Sequence, residues 1–322
     1  MHEATVRLRD VELNYAEGPA GREPFVLLHG GSARWQYGET FLEGLADRWH
    51  VFAPDLRGHG RSGHVASGYR VRDYVDDIAE FLTSVVGEPA VVFGHSRGGE
   101  VAVMVAAQHP ALVRALIVGD APLSPDRSPT ERPEHRAQNE LWQRLAGRPQ
   151  SEIEAALREM PIFEPGEARP RPAREVMGED SPWFAFQAEA LNLLDPRTLT
   201  ELLAGPEELL VGYEPNILLP AIECPVLLLQ ADPELGAVLT DDDVELGLRL
   251  IRRASHVRLD GVDHALHGRP DQTQRVIDSI GLLSADLDLT DPSHKPGVQE
   301  RRPSNEFGTA AGETSSRRLG DI

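Results

Sequence analysis

Ser96 stands at the centre of Gly94-His95-Ser96-Arg97-Gly98, a G-x-S-x-G pattern. Small residues on both sides let a strand reverse sharply into a helix and hold the serine at the tip of the turn. The flanks fit this reading: the apolar run Ala90-Val91-Val92-Phe93 precedes the pattern, and the helical run Gly99–His109 follows it. A serine hydroxyl is a poor nucleophile near neutral pH, so it needs a base to take its proton and donors to stabilise the oxyanion formed on attack. His264, in Gly261-Val262-Asp263-His264 just beyond the expected strand His256–Leu259, is placed to be that base. His267 is its nearest competitor, three residues further toward a helix. His59 and His95 sit inside glycine-rich motifs, where a structural or pocket-lining role is expected.

These residues need a scaffold that brings turns from distant segments to one edge. Short apolar runs alternate with longer amphipathic ones, the signature of a mainly parallel sheet covered by helices. Phe25–His29, His50–Ala53, Ala90–Gly94, Ala115–Gly119, Val226–Ala231 and His256–Leu259 read as strands. Phe41–Arg48, Val71–Val86, Gly98–His109, Asp243–Arg253 and Asp271–Leu283 read as helices. Thr5–Arg9 and Val11–Tyr15 suit an antiparallel hairpin. The alternation stops after Asp120, and residues 121–215 read as an inserted helical lid, with helices expected at Glu134–Ala146 and Ser151–Met160 and an irregular loop at Glu164–Arg174. Residues 1–120 and 216–283 then form the core. The segment 284–322 has too few apolar residues to bury a core and is expected to be a disordered tail.

Composition removes several classes of function. A formal net charge of −20 opposes binding to nucleic acid or to anionic membranes. No apolar run approaches the roughly 18 residues needed to span a bilayer, and the N-terminal residues MHEATVRLRD lack a secretory pattern, so a cytoplasmic location is expected. The sole lysine, Lys295, lies in the polar tail, which leaves the folded region without a residue for Schiff-base, pyridoxal-phosphate or Walker-lysine chemistry. Cys224 has no partner for an intramolecular disulfide and reads as a small core residue. The histidines have no metal-binding spacing, so neither metal nor cofactor is expected.

Three motifs in order carry a resemblance to the α/β-hydrolase family over about residues 4–283. Leu28-His29-Gly30-Gly31 resembles the family's His-Gly loop, Asp55–Ser62 is close to its D-x-R-G-x-G-x-S turn, and Gly-His-Ser-Arg-Gly-Gly resembles its nucleophile turn. The resemblance implies a mainly parallel twisted sheet flanked by helices, and an oxyanion hole formed by the backbone N–H groups of Gly31 and Arg97. His264 occupies the position of the family's catalytic histidine. The Asp55–Ser62 turn reads as structural, since Gly58 and Gly60 suit tight bends.

The supporting acid is less sharply indicated. The family often carries it after the strand corresponding to Val226–Ala231, where this chain has Asp232-Pro233-Glu234. Asp232 is favoured because the Asp-Pro turn ends the strand directly and its short side chain would aim inward. Glu234 has the family's usual spacing, and Asp120 is a third option because some relatives carry the acid after the earlier strand. The implied activity is hydrolysis of a small, largely apolar ester or thioester through an acyl-serine. Trp142, Phe163, Trp183, Phe184 and Phe186 would either line the pocket or pack the lid. C–C bond hydrolysis or peracid formation on the same fold is an alternative, and so is a non-catalytic ligand receptor. A small-molecule substrate is the partner expected.

Overall fold

The computed structural model describes residues 1–127, 133–162 and 169–286. Among these, eight strands form one sheet: β1 (His2–Arg7), β2 (Glu12–Glu17), β3 (Pro24–Leu28), β4 (His50–Pro54), β5 (Ala90–His95), β6 (Val113–Gly119), β7 (Val226–Gln230) and β8 (Ala254–Arg258). Their spatial order is β1-β2-β4-β3-β5-β6-β7-β8. β2 runs antiparallel to β1 and β4, and the rest of the sheet is parallel.

The central strands are continuously apolar because both of their faces are buried. Successive side chains alternate between two cores. Val26, Leu28, Val92, Leu116 and Val118 enter one core with the helices α2 (Val71–Phe81) and α3 (Arg97–Gln108). Phe25, Leu27, Phe93 and Ile117 enter the other with α1 (Glu39–Leu45), which contributes Phe41 and Leu42, and with Val276 and Ile280 of the C-terminal helix. The helix expected over Val71–Val86 is α-helical only to Phe81. It widens to a π-helical turn at Leu82–Val86 and ends on Gly87, whose φ of 75° is a left-handed cap.

Between β6 and β7 the described chain adds no strand to this sheet. It forms the helices α4 (Pro133–Leu145), α5 (Gln150–Arg158), α6 (Ala173–Met177), α7 (Pro182–Leu193), α8 (Pro196–Leu203), α9 (Pro206–Leu209) and α10 (Pro215–Ala221). Ile153, Leu157, Phe184, Leu191 and Leu199 give the segment an apolar cluster of its own. The expected loop at Glu164–Arg174 lies partly outside the described residues. Within them, Arg171–Pro172 pairs with Pro161–Ile162, and Ala173 opens α6. Beyond β7 come α11 (Asp241–Leu250) and α12 (Pro270–Asp286). Helix α12 runs past the expected boundary at residue 283, and residues 287–322 of the expected tail lie outside the described residues.

Candidate active site

Strand β5 ends at His95 and α3 begins at Arg97, which leaves Ser96 alone in the turn at φ 50° and ψ −118°. A non-glycine residue there costs about 1–3 kcal/mol, a strain that functional sites commonly retain. The flanking glycines make the turn possible. A Cβ on Gly94 would stand 2.3 Å from the Gly98 carbonyl oxygen, and one on Gly98 would stand 2.2 Å from that of Leu28. The Ser96 N–H donates to the Gly119 carbonyl at 3.0 Å, which ties the turn to the end of β6, one residue before Asp120.

Asp120 has no solvent exposure and a φ of 44°. Its carboxylate accepts backbone N–H groups from Ala231 at 3.2 Å, Val238 at 2.9 Å and Leu239 at 3.1 Å. Its Oδ2 is also 2.6 Å from His264 Nδ1. A carboxylate only accepts, so this contact fixes the proton on Nδ1 and leaves Nε2 with a free lone pair. The ring of His264 lies 4.8 Å from that of His95, the residue before the serine. His95 Nε2 is 2.8 Å from the His264 carbonyl oxygen, so that nitrogen carries the proton and donates it. The turn bearing Ser96 and the loop bearing His264 are thereby joined.

The sequence profile of the alpha/beta hydrolase family matches residues 25–276. The chain belongs to that family. Among curated relatives it is similar to 2-(acetamidomethylene)succinate hydrolase of Mesorhizobium japonicum, 36% identical over 111 residues, which are 34% of this chain and 39% of that one. It is also similar to a soluble epoxide hydrolase of a Corynebacterium species, 35% identical over 97 residues, 30% of this chain and 34% of the relative. The matched stretches thus span little more than a third of these relatives. Among solved structures, E-2-(acetamidomethylene)succinate hydrolase aligns over 89% of this chain and all of its own length, with a TM-score of 0.63 and 23% identity, a likeness of fold.

Within this hydrolase fold, Asp232 does not meet His264, contrary to the sequence expectation. Its Oδ1 accepts the Glu234 N–H at 2.9 Å, capping the turn after Pro233, and its Oδ2 accepts the Gly261 N–H at 2.6 Å. Those two backbone donors, Gly261 first, hold its pKa below the ordinary carboxylate value. The aspartate that ends β7 therefore pins the loop leading to His264 from outside, and Glu234 is exposed. The partner of His264 comes from the neighbouring strand. His267 is equally unsuited to be the base. It is buried against Tyr37, Phe41 and Phe93, neither ring nitrogen has a hydrogen-bond partner, and burial pushes its pKa well below the usual value.

The His-Gly loop abuts the nucleophile turn. A Cβ on Gly30 would lie 3.3 Å from Ser96 Cβ, and one on Gly31 would lie 4.0 Å from Arg97 Cβ. His29 braces this loop: its Nε2 accepts the Leu56 N–H at 3.0 Å, so its Nδ1–H donates to the Gly30 carbonyl at 2.8 Å. Arg97 opens α3, so its N–H lacks an intrahelical acceptor and is available to a ligand. The Asp55–Ser62 turn is occupied with structural bonds. Asp55 accepts the Trp35 N–H at 2.8 Å and the Arg61 N–H at 3.0 Å, and a Cβ on Gly60 would strike the Asp55 carboxylate.

The inserted helices reach this region directly. Glu189 of α7 pairs with Arg34 at 2.5 Å, Gln187 donates to the Ser32 carbonyl at 3.3 Å, and the Asp195 N–H donates to the Gly58 carbonyl at 2.8 Å. A small, partly open cleft, with a cavity volume of about 20 Å³, lies between Gly31, Ser32 and Arg97 on one side and Leu199, Leu202 and Leu209 on the other. Of the aromatic residues expected near a pocket, Phe184, Trp142 and Trp183 pack within the helical segment. Phe186 reaches the core, with its ring 6.4 Å from Tyr37 and the Arg34 guanidinium 5.0 Å above it. Phe163 lies outside the described residues.

Proposed function

We propose that the protein is a serine hydrolase that transfers an acyl group from a small ester or thioester to Ser96 and then to water. The observation that carries this reading is the 2.6 Å contact between His264 Nδ1 and Asp120, behind a serine held in a strained strand-to-helix turn. His264 Nε2 takes the Ser96 proton as Oγ attacks the carbonyl carbon. The backbone N–H groups of Gly31 and Arg97 stabilise the oxygen as it gains charge. The tetrahedral adduct collapses, His264 gives its proton to the departing alkoxide or thiolate, and the acyl-serine remains. Water enters and loses a proton to the same nitrogen as it attacks the acyl carbon, and collapse of the adduct breaks the C–Oγ bond, returns that proton to Ser96 and releases the acid. Asp120 holds the imidazole in its tautomer and stabilises the imidazolium.

Relatives named as a succinate-derivative hydrolase and an epoxide hydrolase support hydrolysis in general, not a substrate. A serine at position 96 speaks against the epoxide-opening branch, which uses aspartate there. The inserted helices act in this reading as a lid over the cavity, and the mixed lining of that cavity argues against a wholly apolar acyl chain. A fluorophosphonate probe tests the reading without knowledge of the substrate. Labelling at Ser96 that disappears in His264→Ala is expected; folded protein that resists labelling would favour the ligand-receptor alternative.

A further inference from the structure

The cleft beside Ser96 is lined by an arginine paired with a buried carboxylate. Arg97 lines it, with its side chain only 10% exposed, and its Nη1 donates to Glu100 at 2.6 Å. Among the described residues the guanidinium has no other hydrogen-bond partner, so Glu100 engages one of its three nitrogens and orients the plane. Glu100 is itself buried, and burial raises its pKa against the opposing charge of Arg97. The remaining polar groups of the lining are neutral. Burial pushes His59 down to about 3, and burial keeps the phenol of Tyr74 protonated. Tyr69 spends its hydroxyl on Asp195 at 2.6 Å.

A cavity meant only for an alkyl chain gains nothing from a buried ion pair, because desolvating two charges offsets much of their attraction. An arginine that lines a cleft and has one nitrogen held by Glu100 suits a planar oxyanion, since guanidinium and carboxylate match as a two-pronged pair. Arg97 also directly follows Ser96 in the chain, so an anion held by its side chain would lie a short acyl chain away from the reacting carbonyl. Resting on the serine-hydrolase reading above, we propose that the substrate carries a carboxylate at the far end of its acyl chain, held by the Arg97 guanidinium, with Glu100 as the positioning residue. Leu199, Leu202 and Leu209 would cover the methylenes between the two ends.

The test compares two chromogenic esters of similar length, mono-p-nitrophenyl glutarate and p-nitrophenyl pentanoate. Wild type should favour the anionic ester in kcat/KM by about tenfold or more, the discrimination expected of a hydrogen bond between charged groups. Arg97→Met should erase that preference, chiefly through KM, and Arg97→Lys should retain part of it. Calorimetry with glutarate alone should detect binding to wild type and none to Arg97→Met, whether or not either ester turns over. Equal use of the two esters by wild type, or a preference that survives in folded Arg97→Met, overturns the proposal. Should Arg97→Met fail to fold, the wild-type ester ratio and glutarate binding decide it. Absence of Ser96 labelling together with glutarate binding to wild type would defeat the serine mechanism while leaving the carboxylate site standing.

Discussion

The imidazole of His95 bonds through Nε2–H to the backbone carbonyl of His264, not to its ring, and lies alongside that ring at 4.8 Å. The residue before Ser96 thereby ties down the loop that carries His264, the base of the proposed mechanism. Its Nδ1 is buried and unpartnered, close to Gly30. A group that acts through another residue should affect the chemical step more than substrate binding. His95→Phe keeps a ring in place but removes the donor, so kcat should fall by about 10- to 100-fold with KM little changed. Steady-state kinetics on any ester turned over by the wild type check this, and a change confined to KM would contradict it.

The two aspartates that end neighbouring strands should separate cleanly. Asp120→Asn is expected to lower kcat by up to about 10⁴, because the amide cannot hold the productive tautomer of His264. Asp232→Asn should leave kcat within a few fold and lower the melting temperature modestly, since it weakens bonds to Gly261 and Glu234 and touches no reacting group. Kinetics and a melting curve on both variants decide the matter. A large loss of kcat in Asp232→Asn alone would return the acid to the position first expected from the sequence.

That exchange of acids marks where the sequence stopped being informative. The central strands of the parallel sheet were legible, because a strand buried on both faces must be a short apolar run, and the serine turn was legible because its glycines answer local steric demands. The carboxylate that meets His264 was not, because Asp120 and Asp232 each follow such a run, and the choice depends on which strand end lies beside Ser96. His95 pairs with Gly119 in register, so the residue after Gly119 is the near one. Turn chemistry at Asp-Pro gave a second, misleading signal: Asp232 does aim back toward its own chain, at the N–H groups of Glu234 and Gly261. The cavity was illegible for a similar reason. The aromatic residues of the insertion mostly pack with one another, while the lining comes from leucines of α8 and α9 and from Arg97, which the motif presents only as the residue after the serine.

Asp195 ties the start of α8 to the turn at Gly58 and to Tyr69. It is 1% exposed, accepts the Tyr69 hydroxyl at 2.6 Å and the Arg197 N–H at 3.0 Å as the cap of α8, and donates its own N–H to Gly58. Asp195→Ala should destabilise the protein by about 1–3 kcal/mol, the combined effect of a lost cap and a phenol left with only its backbone bonds to Val65. Ser96 labelling should persist in the folded fraction, because neither oxyanion loop bonds to this side chain. Denaturant titration followed by probe labelling tests both halves of the statement.

Stability should fall steeply on mild acidification, and the histidines set the direction. Burial holds His29 down to about 4 and both His59 and His95 down to about 3, and it holds His267 well below its usual value. The unfolded chain titrates these groups near 6.5. Between the folded and unfolded values the unfolded state binds more protons, so stability is fully present above about pH 6.5 and is lost as the pH drops below it. Each histidine contributes roughly 1 kcal/mol of loss between pH 6.5 and 5.5, about 4 kcal/mol for the four, which is a large part of the 5–15 kcal/mol typical of a folded domain. Asp55, Asp77 and Glu100 act with the opposite sign, since burial raises their pKa values and favours the folded state as they protonate. Their contribution enters as the pH falls through these raised values and would flatten the curve there. Calorimetric melting between pH 7.5 and 4 should therefore give a temperature that starts to drop near pH 6.5 and falls most steeply below about pH 5.5. His267→Leu, which removes one of the four without breaking a hydrogen bond, should make that drop shallower. A melting temperature that stays level from pH 7 to 5 would mean that these rings are not held neutral by burial.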